Sequence, residues 1–144
     1  MENKLVAFIT STSFLDVDPD LSGYEFAHGT HNGYVAVPPQ NKYHGRSIED
    51  MEDFEVHGGI TLSEHSTYPD VMNGMEIKKE YVGKRNKLLE KAEFITENTE
   101  IGDDWWIFGF DTAHWGDNKD NWDKQAVIKE TLSMMKELNG NNVK

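Results

Sequence analysis

The stretch from Trp105 to Asp117 constrains this chain more than any other. Its first half, Trp105-Trp106-Ile107-Phe108-Gly109-Phe110, is aromatic and apolar, which suits a buried strand. The chemistry then changes abruptly, and Asp111, His114 and Asp117 follow with Gly116 among them. A polar turn at the end of an apolar strand is where a rigid scaffold presents functional side chains. The earlier stretch Phe54-Glu55-Val56-His57-Gly58-Gly59-Ile60-Thr61 has the same character. The two are expected to be neighbouring strands that share one site built from His57, Thr61, Asp111, His114 and Asp117.

The 144 residues suit one domain, 1–144, with a core large enough to need no staples. Hydrophobic residues are 37% and aromatics 11%, so much of that core should be aromatic. A net charge of −12 argues against binding a nucleic-acid polymer or an anionic membrane surface. The chain has no Cys, which removes disulfides and thiolate chemistry. No apolar run approaches the ~20 residues of a membrane span. The first residues do not form a signal-peptide pattern, so a cytoplasmic location is expected.

A first strand is predicted over 5–10 and a second over 33–37, the latter stopped by Pro38-Pro39. Between them, Asp16, Asp18 and Asp20 have calcium-loop spacing. The sixth and twelfth places hold Leu21 and Ala27 rather than Gly and Glu, so a solvated acidic loop is the better reading. His28 and His31 could share one turn. Arg46, one of two arginines, is a candidate anion clamp or else a surface ion pair. Residues 48–54 suggest a short helix or turn leading to a strand at 55–57. Gly58-Gly59 interrupts that strand before it resumes at 60–62, as a bulge or a close backbone approach would.

Residues 64–104 carry weaker patterns. The basic stretch 75–91 fits a helix broken at Gly83 or two strands, and 93–97 alternates as a strand does. A helix is predicted over 122–138, with Val127, Ile128, Thr131, Leu132, Met135 and Leu138 forming its apolar face. Ile128, Leu132 and Met135 are expected to meet the sheet. Asp120, Asn121 or Asp123 could cap its start and Gly140 could stop it. The sum is an α+β domain, a mostly antiparallel sheet with the C-terminal helix on one face.

Three chemistries fit the polar set. His and carboxylate groups suit zinc or manganese, but no paired-ligand motif is present, so neither metal nor cofactor is expected. A carboxylate that orients an imidazole makes an acid–base pair, and His57, Asp111 and His114 could then cleave a phosphodiester or glycosidic bond. No nucleophile elbow or Walker loop accompanies them. The same groups could instead only bind: the carboxylates of Asp111 and Asp117 would accept from hydroxyls, the amides of Gly58 and Gly59 and the Arg46 cation would hold phosphate, and Trp115 or another Trp would stack on a base. A buried network that merely fixes strand and helix is the purely structural alternative.

The paired elements His57-Gly58-Gly59 with Thr61 (HGG…T) and Gly109 to Asp117 (GFDxAHxGD) resemble a group of small proteins encoded by phages and prophages. The resemblance covers about residues 33–138, while the first thirty residues and 75–91 match nothing in it. By analogy with small phage proteins that sequester immune signals, it implies a protein of the infected host cytoplasm. Such a protein would bind a cyclic ADP-ribose-type or cyclic-nucleotide signal through His57, Gly58, Gly59, Thr61, Asp111, His114, Trp115, Asp117 and Arg46. Cleavage of that nucleotide by His57, Asp111 and His114 is the alternative. The sequence leaves homo-oligomerisation open.

Overall fold

A computed structural model describes residues 5–13, 28–114 and 116–140. The acidic loop at 15–23 and Trp115 lie outside them. Strand β1 (Val6–Ser11) pairs antiparallel with β2 (His31–Val37), which pairs with β7 (Trp106–Phe110). Strand β3 (Leu62–His65) adds to the free side of β7, and the two-residue β6 (Glu93–Phe94) adds to β1. The five-stranded order is therefore β3-β7-β2-β1-β6. A small hairpin, β4 (Val71–Met72) and β5 (Met75–Glu76), lies apart from this sheet. Helix α1 (Lys124–Gly140) packs across β1 and β2, and the molecule is an α+β domain.

The sheet is buried on both faces, and strand periodicity sorts its side chains between them. Ala7, Ile9, Val35, Val37, Phe108 and Phe110 face α1 together with Met51, Phe54 and Val56 from the segment that precedes β3. Val6, Phe8, Tyr34, Ala36 and Ile107 face the other way, against Ile101, Leu88, Leu89 and Trp105. Register enforces the sorting, because Ala7 pairs with Val35 and Val35 with Phe108. On the second face Phe8 stacks on Tyr34 at 5.0 Å. Helix and sheet approach so closely at Gly33 that a Cβ there would lie 2.0 Å from Thr131 Oγ1.

Several expectations are corrected. Residues 55–61 are not a strand. Gly58 and Gly59 have φ of 70° and 80°, which bends the chain into a turn, and pairing begins only at Leu62. The Trp-rich strand β7 is internal, between β3 and β2. The short helix or turn expected over 48–54 is present as a single-turn 3-10 helix, Glu49–Met51. The basic stretch is neither a helix broken at Gly83 nor two strands with a turn there: it contains β5, turns, and a 3-10 helix at Lys87–Lys91. The helix begins at Lys124, where Asp123 Oδ1 accepts the Ala126 amide at 2.9 Å and so supplies the cap.

The apolar face of α1 is also turned from the expected one. Val127, Thr131, Met134 and Leu138 are fully buried, a spacing of four, three and four residues. Leu132 is 36% exposed, and Ile128 and Met135 pack at the margin of the core. One residue past Thr131, Leu132 points about 100° away from the buried line. Met134→Ala should therefore cost about 2–5 kcal/mol in urea unfolding. Leu132→Ala should stay within about 0.5 kcal/mol, the level of surface substitutions. Equal losses would show that the helix docks on a different face.

Candidate functional site: two histidine–carboxylate pairs at the end of β7

The sheet delivers Asp111 directly, because it follows the last residue of β7. Thr61 is tied to the same place. Its amide donates to the Gly109 carbonyl at 2.9 Å and its hydroxyl to Asp111 Oδ2 at 3.2 Å. Asp111 Oδ1 also accepts the Ala113 amide at 3.2 Å, which starts the turn. Thr112 is fully buried and donates its hydroxyl to the His31 carbonyl at 2.8 Å. The turn that follows β7 is thus fastened to β2.

His57 arrives from the opposite direction, on the segment pinned by buried Phe54 and Val56. Its amide donates to Glu130 Oε2 of α1 at 2.7 Å. Its ring lies against Trp122, with centroids 4.2 Å apart. Nε2 contacts both oxygens of Asp117, at 2.9 and 3.0 Å. Asp117 Oδ2 also accepts the His114 amide at 3.0 Å, and the Asp117 amide returns a bond to the His114 carbonyl at 2.9 Å. The Asp117 side chain is only 5% exposed, so this carboxylate is committed to its partners.

His114 makes the second pair. Its Nε2 lies 3.0 Å from Asp111 Oδ1, and both side chains remain partly open to solvent. The Nε2 atom is itself buried and makes no aligned hydrogen bond, so the contact is one of proximity. The two imidazoles meet edge to face, with centroids 5.3 Å apart. Each has its own carboxylate. Burial, aided by the charges of Glu64 and Asp111, pushes the nearby Tyr34 phenol above its ordinary range, so it stays protonated.

Five of the expected residues converge here, His57, Thr61, Asp111, His114 and Asp117, together with the Gly58 backbone. Gly59 completes the turn by donating its amide to Val56 at 2.7 Å. Arg46 does not join them. Its guanidinium lies over the Tyr43 ring at 5.5 Å, and its carbonyl accepts from Ser63 on β3. The anion clamp expected from Arg46 is therefore absent from the contacts of this cluster. The described ring beside His57 is Trp122. His28 is buried and His31 opens β2, so they do not form one exposed turn. Glu130 gave no signal in the sequence, since its contact with His57 spans 73 residues. Compared with protein-family models, curated proteins and solved structures, the chain matches none.

Gly58 is the residue that lets the rings meet. A Cβ there would lie 2.2 Å from His114 Nε2, and φ is already left-handed. Gly59 has the same backbone region but open space around its Cβ position. Gly59→Ala should cost about 1–2 kcal/mol from backbone strain alone. Gly58→Ala should cost more and should shift the His114 ring resonances, measured by thermal unfolding and imidazole NMR. Equal costs with an unmoved His114 would contradict the packing described.

Proposed function

We propose that this chain acts on a small phosphate-bearing nucleotide of the immune-signal type, cleaving a phosphodiester by acid–base chemistry at His57 and His114. The observation that carries the reading is the pairing itself: two imidazoles 5.3 Å apart, each held by a separate carboxylate. Cleavage of a phosphodiester needs a proton removed from the attacking oxygen and one given to the leaving oxygen. Two adjacent imidazoles supply both.

The roles follow from the contacts. Asp117 engages His57 Nε2, so in the neutral ring the proton sits on Nε2 and the lone pair on Nδ1. His57 then takes the proton from water or a substrate hydroxyl through Nδ1. His114, when protonated, keeps its buried Nε2 against Asp111 and donates to the leaving oxygen through Nδ1. Trp122 fixes the His57 ring by packing on it. A small ligand suits the site better than a polymer, because a chain of net charge −12 repels extended polyanions.

The test uses the full chain at catalytic concentration with a panel of cyclic dinucleotides and cyclic ADP-ribose, chromatographed before and after heat denaturation. Linear or otherwise cleaved products are expected. His57→Ala and His114→Ala should each slow their appearance by about 10²–10⁴-fold. A bell-shaped pH–rate profile should accompany cleavage, since one ring must be neutral and the other protonated. Return of an intact ligand after heating would replace cleavage by sequestration. No interaction with any member of the panel would remove the nucleotide reading.

A further inference from the structure

We propose that His44, His65 and Asp104 form a divalent transition-metal site, with zinc as the fitting ion, at the opposite end of β7 from the paired imidazoles. Among the described residues, these three bring one ligand atom each within 4.8 Å of one another. His65 is the last residue of β3 and pairs with Trp106, the first of β7. Asp104 lies two residues before that strand, and His44 comes from the loop after β2. Three separate segments therefore converge, and register rather than sequence spacing brings them together.

The distances suit a metal. Asp104 Oδ1 lies 2.8 Å from His65 Nε2 and 3.6 Å from His44 Nε2. Tetrahedral zinc with bonds near 2.0–2.1 Å separates its ligand atoms by about 3.3 Å. The two distances to the carboxylate bracket that value, and all three ligand atoms lie within 4.8 Å of one another, so side-chain adjustment without backbone movement would admit the ion. His65 Nε2 now bonds the Asp104 carboxylate and His44 Nε2 the Asp104 backbone carbonyl, each at 2.8 Å, and the protons in these bonds would leave as the metal enters. The carboxylate is 66% exposed, which leaves the solvent side free for a water or substrate ligand.

The surroundings also orient the ligands. His65 Nδ1 contacts the Thr67 carbonyl, so a proton on Nδ1 would leave Nε2 as the metal-facing nitrogen. The Trp106 ring lies edge to face with both imidazoles, at 5.5 Å from each. Trp106 is itself fixed, since its Nε1 donates to Ser63 Oγ at 2.7 Å. Asp103 on the same turn pairs with Arg85 at 3.5 Å, so the nearby guanidinium has its own counter-charge. A metal here would clamp the loop after β2 to the turn before β7. No Cys takes part, so oxygen-and-imidazole coordination with one open position is the chemistry offered.

The test is calorimetric titration of zinc chloride into the chelator-treated, full-length protein, with elemental analysis after dialysis. Wild type should bind one zinc ion per chain and gain thermal stability. His65→Ala and Asp104→Asn should each weaken binding by at least about tenfold, since even outer-shell changes at metal sites cost 10–100-fold. Asp104→Asn keeps the test decisive if the His variant unfolds, because that carboxylate is exposed. His57→Ala should bind zinc as wild type does, which separates this site from the paired imidazoles. Absence of saturable zinc binding by wild type, or binding lost on His57→Ala and kept in Asp104→Asn, would overturn the proposal.

Discussion

The Asp117 carboxylate is the group on which the candidate site depends. Buried in a chain rich in negative charge, it needs fixed donors, and it has them in the His57 ring and the His114 amide. Leaving such a group without a partner would cost about 3–5 kcal/mol. The same bonds join two segments that are far apart in sequence, the turn at 57–59 and the turn after β7. One carboxylate thus orients an imidazole, closes a turn and sets the spacing between two rings. Asp111 has a different task. It is partly exposed, sits at a strand end, and faces His114 without an aligned hydrogen bond. One pair is clamped by hydrogen bonds and the other is held by proximity.

The sheet makes both ends of β7 useful. Its interior position between β2 and β3 fixes its ends firmly, while the side chains along it go to the two cores. The polar clusters are left to the segments just beyond each end. Five strand residues separate them by roughly 17 Å. The paired imidazoles and the His44–His65–Asp104 group can therefore be altered independently. Among the described residues, no helix is long and apolar enough to cross a membrane.

Much of this architecture was legible in the sequence. Strands β1, β2 and β7 are apolar runs bounded by turn residues, and the C-terminal helix has a clear period. The residues His57, Asp111, His114 and Asp117 announced themselves as polar groups at the ends of apolar runs. What failed was geometry that period alone does not carry. Gly58-Gly59 could mark a bulge in a strand or a close approach to the backbone; His114 does approach Gly58 closely, but the left-handed φ values place both glycines in a turn rather than a strand. In the helix, an apolar stripe wide enough to include both Leu132 and Met134 does not say which line meets the sheet. Sheet shape and the gap at Gly33 decide that. Arg46 was attractive as a rare cation, but its loop leads it to Tyr43 rather than to the imidazoles. The His44–His65–Asp104 group had no sequence signature, since its contacts span 60 and 39 residues.

The central claim is that His57 and His114 act as one unit on a bound nucleotide, which requires that both rings meet the ligand. Long-range proton–nitrogen NMR of the histidine rings, recorded during titration with AMP, tests it most directly. Before ligand is added, the neutral His57 ring should carry its proton on Nε2, as the Asp117 contact requires. On titration, the His57 and His114 resonances should move together along one binding curve while those of His44 and His65 stay in place. Movement of neither ring, or of one without the other, would contradict the account.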